Sequence, residues 1–94
     1  MNNVILITTK GCQACKIQEN IIKNAIEISK DKYIISLTIT GKSDYSDHLC
    51  NEYKITDFPA TVLFVNRNYK THIVGTCTKE HLMHLFDEFF TENQ

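Results

Sequence analysis

The stretch KGCQAC, residues Lys10–Cys15, joins an apolar run to a long amphipathic segment. Two cysteines three positions apart at the start of a helix lie on one face of it, within reach of each other. The first turn of a helix also has unpaired backbone N–H groups and the positive end of the helix dipole, and both stabilise a thiolate. The stretch therefore predicts a reactive pair, Cys12 and Cys15, at a helix N-terminus.

The length and composition indicate one small domain over residues 1–94, which we expect to be a monomer. The chain has 43% hydrophobic and 22% charged residues, which is ordinary for a globular protein. A chain of this length can form a hydrophobic core without covalent staples. The net charge is −1 and no basic stripe is present, so we do not expect nucleic-acid binding through a charged surface.

We expect no targeting signal in the segment before the cysteines. Val4–Ile7 is too short for a signal-peptide core or a membrane span, and no positive charge precedes it. We therefore expect a cytoplasmic protein without membrane association. In that reducing compartment, several cysteines favour redox or metal chemistry over a disulfide framework. The four cysteines are Cys12, Cys15, Cys50 and Cys77.

Hydrophobic periodicity predicts the element order β-α-β-α-β-β-α, an α/β chain. The first strand, helix and second strand form a βαβ unit, so these two strands should be parallel with a right-handed crossover. On the first helix, the predicted apolar stripe is Ile17, Ile21, Ala25 and Ile28, widened by Ile22 and Ile26. The predicted segments are strand 4–9, helix 12–30, strand 33–39, helix 43–53, strand 60–65, turn 66–68, strand 69–74 and a helix capped by Thr78.

Two motifs in this order resemble the thioredoxin family. The first is Cys12–Cys15, and the second is Ile55–Phe64, which contains Pro59, the only proline of the chain. The second motif is followed by a hairpin, by Val74-Gly75 and by the helix that Thr78 caps. The interval from Pro59 to Gly75 is similar to that of thioredoxins. The resemblance covers nearly the whole chain. It implies the thioredoxin fold, a four-stranded mixed sheet flanked by three helices.

The resemblance also implies roles for individual residues. Cys12 would be the nucleophile and Cys15 the resolving cysteine. The Phe58–Pro59 bond would be cis, and the exposed backbone of Phe58 could pair with an extended substrate chain. Substrate would be bound by an apolar surface of four residues. These are Gly11, Phe58, Pro59 and Gly75.

The function implied is a thiol–disulfide oxidoreductase that reduces protein disulfides by dithiol exchange. It would carry electrons to protein substrates from a reductase such as thioredoxin reductase, with no metal and no organic cofactor. The chain departs from the family pattern at four places, one of which is Asn20, the nearest match to a proline that kinks the first helix in many members. Gly11 stands where the family has Trp, and Gln13-Ala14 replaces Gly-Pro. Leu6 replaces a buried Asp that assists proton transfer at the second cysteine.

Three alternatives stay open at this point. The CxxC pair by itself also fits half of a zinc site, although His48, Cys50 and Cys77 do not form a second pair at zinc-binding spacing. A glutaredoxin-like, glutathione-dependent reductase is the nearest rival, because Val74–Thr78 distantly resembles the glutathione-binding segment of that family. The third is a non-catalytic binding module. We expect Cys50 and Cys77 to be structural thiols in each case.

Overall fold

The seven elements follow the predicted order β-α-β-α-β-β-α. They come from a computed structural model of the chain, which describes residues 1–93. The elements are β1 (Asn2–Ile7), α1 (Gln13–Ile28), β2 (Ile35–Thr40), α2 (Asp44–Tyr53), β3 (Ala60–Val65), β4 (Asn68–Val74) and α3 (Lys79–Phe89).

The four strands form one mixed sheet in the spatial order β2-β1-β3-β4. The strands β1 and β2 are parallel, as the βαβ pattern predicts, while β3 is antiparallel to both β1 and β4. The hairpin between β3 and β4 turns at Asn66 and Arg67, which have positive φ angles of 51° and 69°. The predicted fold class, a four-stranded mixed sheet with three helices, is confirmed.

The strand β1 is buried on both faces of the sheet, which explains why its apolar residues do not alternate with polar ones. Val4 and Leu6 belong to one core cluster, together with residues of α1 and α3. Ile5 and Ile7 belong to a second cluster on the opposite face, together with Leu49 of α2. The sheet is thus covered by α1 and α3 on one face and by α2 on the other.

Side-chain caps fix where the two later helices begin. The Ser43 hydroxyl accepts a hydrogen bond from Ser46 N at 3.1 Å, and Ser46 Oγ accepts one from Ser43 N at 2.9 Å, a reciprocal capping box. Thr78 Oγ1 accepts from His81 N at 3.0 Å. The predicted N-cap at Thr78 is therefore confirmed, and α2 begins directly after Ser43.

The predicted buried face of α1 is confirmed at Ile22 and Ala25, which are fully buried, and wrong at both ends of the stripe. Ile17 and Ile28 are 52% and 49% exposed. The buried positions of the helix are Cys15, Gln18, Ile22 and Ala25. This face is rotated from the predicted stripe because a polar residue, Gln18, occupies an interior position. The first two strands also begin two residues away from their predicted starts, β1 earlier and β2 later.

The two ends of the described chain meet at one edge of the fold. Asn2 is 3% exposed, and its Nδ2 donates to the carbonyl oxygens of Thr91 at 2.8 Å and Ile34 at 3.2 Å. Thr91 N donates to Asn2 Oδ1 at 2.9 Å. Among residues 1–93, no helix combines the length and the apolar composition that crossing a membrane requires.

Candidate functional site

The two cysteines lie at the start of α1 and within disulfide-bonding distance of each other. Cys12 is the N-cap of the helix, and its Sγ accepts a hydrogen bond from Cys15 N at 3.1 Å. The two Cα atoms are 5.2 Å apart, and the sulfurs form the disulfide. Cys12 is half-buried, whereas Cys15 is only 4% exposed. One sulfur of the pair is thus open to a large partner and the other is covered.

Gly11 makes the turn from β1 into α1 possible. Its φ angle is +66°, in the left-handed region that residues with a Cβ atom disfavour. No atom lies within 4 Å of the position that a Cβ atom would occupy. The glycine is therefore required by the backbone conformation, and the space beside it, next to Cys12, is open.

Three of the other predicted site residues, Phe58, Pro59 and Gly75, lie in the loop before β3 and directly after β4. The Phe58–Pro59 peptide bond is cis. Gly75 N donates to the carbonyl oxygen of Pro59 at 2.7 Å, so the loop before β3 is joined to the end of β4. Phe58 is 36% exposed and Pro59 is buried. The structure thus brings three of the four predicted substrate-binding residues together, with the Phe58 ring at the surface.

A hollow of about 570 Å³ lies beside the cysteines on the side of α1 that faces β2. Gly11 borders it, whereas Phe58, Pro59 and Gly75 do not. Of the four predicted substrate-binding residues, only Gly11 therefore borders the hollow beside the cysteine pair. The lining residues are Thr8, Thr9, Gly11, Cys12, Gln13, Cys15, Lys16, Glu19 and Ile39.

Gln18 is a site-adjacent residue that the sequence did not indicate. It follows Cys15 by one helical turn and is completely buried. Its Nε2 donates to Thr61 Oγ1 at 3.0 Å and contacts Cys77 Sγ at 3.4 Å, and its Oε1 accepts from Cys77 N at 3.1 Å. A single amide therefore links the cysteine helix to β3 and to the segment after Gly75. A lone polar residue in an amphipathic helix gives no sign of such partners, so sequence alone could not have found it.

The two other cysteines are both free and partly buried. Cys50 packs against the core cluster under α2. Burial, and then the negative charge of Asp47, raises the pKa of the Cys50 thiol. A thiol with a raised pKa is a poor nucleophile near neutral pH. Cys77 packs against the opposite cluster.

Comparison with solved structures places this arrangement among known folds. Thioredoxin-2 of the malaria parasite, described as a component of a protein secretion machinery, superimposes with a TM-score of 0.76. It is 18% identical, and the match covers 95% of this chain and 84% of that one. Mitochondrial thioredoxin 3 of Saccharomyces cerevisiae in its oxidised form gives a TM-score of 0.71 at 19% identity. This second match covers 94% of this chain and 78% of the yeast protein.

The chain has the thioredoxin fold. A mutant thioredoxin of Halobacterium salinarum gives a TM-score of 0.75 at 16% identity over 99% of this chain and 78% of that one. No protein-family model and no curated protein sequence matches the chain. At these identities the likeness concerns the thioredoxin fold itself, and the cysteine pair stands where α1 of this fold begins.

Proposed function

We propose that this thioredoxin-fold protein is a thiol–disulfide oxidoreductase that reduces protein disulfides by dithiol exchange. The observation that carries the proposal is the pairing of a half-buried Cys12 with a buried Cys15 at disulfide-bonding distance. An exchange reaction needs one sulfur that a partner can reach and a second that is protected until the first has reacted. The pair has both properties.

Cys12 is the nucleophile in this proposal. In the oxidised form its sulfur already accepts the Cys15 N–H. As the N-cap residue it also lies at the positive end of the dipole of α1. The same backbone donor stabilises the negative charge on Cys12 Sγ once the disulfide is reduced. The Cys12 thiolate attacks a partner disulfide and forms a mixed disulfide, releasing one partner thiol.

Cys15 resolves the mixed disulfide. Its sulfur attacks Cys12 Sγ, the bond to the partner breaks, and the second partner thiol leaves with the electron pair. The two electrons of the dithiol have then passed to the partner, and the Cys12–Cys15 disulfide is the spent form. A reductase such as thioredoxin reductase restores the dithiol. The two sulfurs carry the electrons, so the proposal includes neither a metal nor an organic cofactor.

The surface formed by Phe58, Pro59 and Gly75 is proposed as the place where the partner chain binds. The exposed Phe58 ring gives this surface an apolar contact. A reducing, cytoplasmic setting makes reduction the direction of the reaction. We propose that the protein acts there as a monomer.

The proposal is tested by reduction of insulin with two electron sources in parallel. One reaction contains thioredoxin reductase with NADPH, and the other contains glutathione with its reductase. We expect turnover with the first source and none with the second. Cys12→Ser should lower turnover to the background rate, while Cys50→Ser, a change at a cysteine on α2, should leave it unchanged.

Other outcomes identify the competing functions. Turnover only with glutathione would indicate a glutaredoxin-like enzyme. Full activity in Cys12→Ser would exclude both exchange mechanisms. No reduction with either source or with a small dithiol would indicate a binding module, and a partner protein would then still bind a Cys12→Ser, Cys15→Ser double variant.

A further inference from the structure

The buried resolving cysteine has to lose a proton before it can react. The nucleophile in thiol–disulfide exchange is the thiolate, and a thiol attacks poorly. Cys15 is only 4% exposed, and burial disfavours the charged form of such a group. Resolution is therefore slow unless a proton acceptor lies close to Cys15.

The hollow beside the cysteine pair contains one group suited to this task. Glu19 follows Cys15 by four residues, so the two side chains lie on the same face of α1, one turn apart. Both residues line the hollow. Among the described residues that border it, Glu19 is the only carboxylate. The hollow, at about 570 Å³, is large enough for several water molecules, each of which takes roughly 30 Å³.

The other groups around Cys15 are poor proton acceptors. Lys16 lines the hollow, but an ammonium group has three donors and no acceptor. Gln18, on the inner side of the helix, presents an amide. Cys77, across from it, is a thiol that contacts Gln18 Nε2. The strand side of the hollow adds no charge, since Ile39 is apolar.

Glu19 forms an ion pair with Lys23 on the same helix. Lys23 Nζ lies 2.8 Å from Glu19 Oε2, and the glutamate side chain is 30% exposed. Within residues 1–93, no protein group donates a hydrogen bond to the other oxygen, Oε1. The carboxylate is thus held beside the hollow through one oxygen, with the second able to accept a proton from a water or from the thiol.

We propose that Glu19 is the proton acceptor for Cys15 in the resolving step, which rests on the proposed function. The Cys15 thiol gives its proton to Glu19, directly or through a water in the hollow. The Cys15 sulfur then forms a bond to Cys12 Sγ, and the Cys12–partner S–S bond breaks. The partner sulfur leaves with the electron pair as a thiolate. When a reductase later cleaves the Cys12–Cys15 disulfide, Glu19 returns the proton to Cys15.

The test separates the two exchange steps in a single turnover. The protein, with Cys50 and Cys77 replaced by Ser, is reduced and mixed with one equivalent of 5,5′-dithiobis(2-nitrobenzoate). Attack by Cys12 releases the first coloured thiolate, and attack by Cys15 releases the second. In Glu19→Gln we expect the second release to slow about 100-fold near neutral pH, the lower end of what a positioned base contributes. The first release should change less than twofold.

Two further measurements distinguish proton transfer from a structural effect. The rate of the second release in Glu19→Gln should rise with pH and approach the parent rate, because hydroxide replaces the missing base. Glu19→Asp, which keeps a carboxylate, should recover part of the rate. Glu27→Gln is the matched control, since Glu27 lies on the same helix and forms an ion pair with Lys30 but is 69% exposed.

Two results would contradict the proposal, and they differ. If Glu19→Gln and Glu27→Gln release the second thiolate at the same rate, Glu19 has no role in proton transfer. If the parent protein itself never releases a second thiolate and forms no Cys12–Cys15 disulfide, the proposed function fails, and the role of Glu19 fails with it.

Discussion

Gln18 places a polar amide in the interior of the protein. Its side chain is completely buried, and it makes its hydrogen bonds to groups on two other segments, Thr61 and Cys77. A buried amide is tolerated only when its donors and acceptors are paired. Among the described residues, every buried side-chain nitrogen and oxygen atom has a partner. Gln18 therefore stabilises the contact between the cysteine helix and the loop after Gly75.

Replacing Gln18 by leucine should destabilise the protein although the new side chain is apolar. The Thr61 hydroxyl and the Cys77 N–H would lose their partner, and each buried group left unpaired costs roughly 1–3 kcal/mol. The apolar surface gained offsets part of this cost, so we expect a net loss of about 1–3 kcal/mol.

The measurement for Gln18→Leu is the free energy of unfolding from urea titration, under conditions that keep the Cys12–Cys15 disulfide intact. Gln13→Leu is the matched control, because Gln13 is an exposed glutamine at the start of the same helix. We expect a change below about 0.5 kcal/mol for that control. Equal effects of the two variants would show that the hydrogen bonds of Gln18 add nothing to stability.

For single residues, the sequence predicted those whose role follows from their neighbours in the chain. It missed those whose role depends on contacts with distant segments. Cys12 and Cys15 are recognisable from their spacing, and Gly11 from its place between a strand and a helix. Gln18 and Glu19 are ordinary helix residues in the sequence. Only the packing of α1 on the sheet shows that Gln18 is buried and that Glu19 borders the hollow beside the cysteines.

Among the elements, those with strong local signals were predicted best. The bounds of β3 agree with the prediction at both ends, because Pro59 precedes a run of mostly β-branched and aromatic residues that a turn at Asn66 ends. The start of α3 was marked by Thr78. The prediction for α1 was wrong at Ile17 and Ile28 because isoleucines occur around much of the helix, so the apolar pattern did not indicate a single buried face. Contacts of α1 with the sheet and with α3 determine which face is buried.

The contact between α3 and the segment before β2 includes a polar cluster at its rim. Tyr33 Oη donates to Asp87 Oδ1 at 2.6 Å, and Lys32 Nζ lies 3.2 Å from the same oxygen. The hydrogen bond from Tyr33, followed by that from Lys32, holds the pKa of the Asp87 carboxyl below its ordinary value. The folded protein therefore releases the Asp87 proton more readily than the unfolded chain does.

This lowered pKa predicts a pH dependence of stability. The contribution of Asp87 is complete above the pKa of an unfolded aspartate, about 4, and it is lost as the pH falls through the lower, folded value. The Asp87 side chain is 55% exposed, so solvent screening limits the effect to below about 1 kcal/mol. The difference in unfolding free energy between the parent and Asp87→Asn should thus be constant near neutral pH and shrink below pH ~4.

The Asp87 prediction is checked by urea unfolding at a series of pH values from 7 to 3. Glu88→Gln serves as the control, since Glu88 is an exposed acidic residue next to Asp87 on the same helix. A difference between the parent and Asp87→Asn that stays the same over the whole series would contradict the assigned cause.

At the scale of the whole molecule, Asn2 connects the first strand with the last residues described. Its side chain makes two hydrogen bonds to the backbone of Thr91 and one to Ile34, all from a position that is 3% exposed. The two bonds to Thr91 join residues 89 positions apart in the chain. They fix the segment after α3 against the sheet.

Asn2→Ala should therefore lower the free energy of unfolding of the whole domain. Three hydrogen bonds are lost and the Thr91 backbone is left without its partner, for an expected cost of roughly 1–3 kcal/mol. Asn3→Ala is the matched control, because Asn3 accepts a hydrogen bond from Ser36 at the surface. Thermal unfolding followed by circular dichroism should show the larger drop in Tm for Asn2→Ala. A similar drop for both variants would contradict this role.

The meeting of the two ends has a practical consequence for labelling. The cysteine pair follows the far end of β1, and the six residues of this strand span ~20 Å at about 3.3 Å per residue. A fluorophore or a surface tether attached near Asn2 or near Thr91 would thus lie at the end of β1 opposite to Cys12. Molecules immobilised through either of these two positions would present the end of the fold that carries Cys12 to the solution.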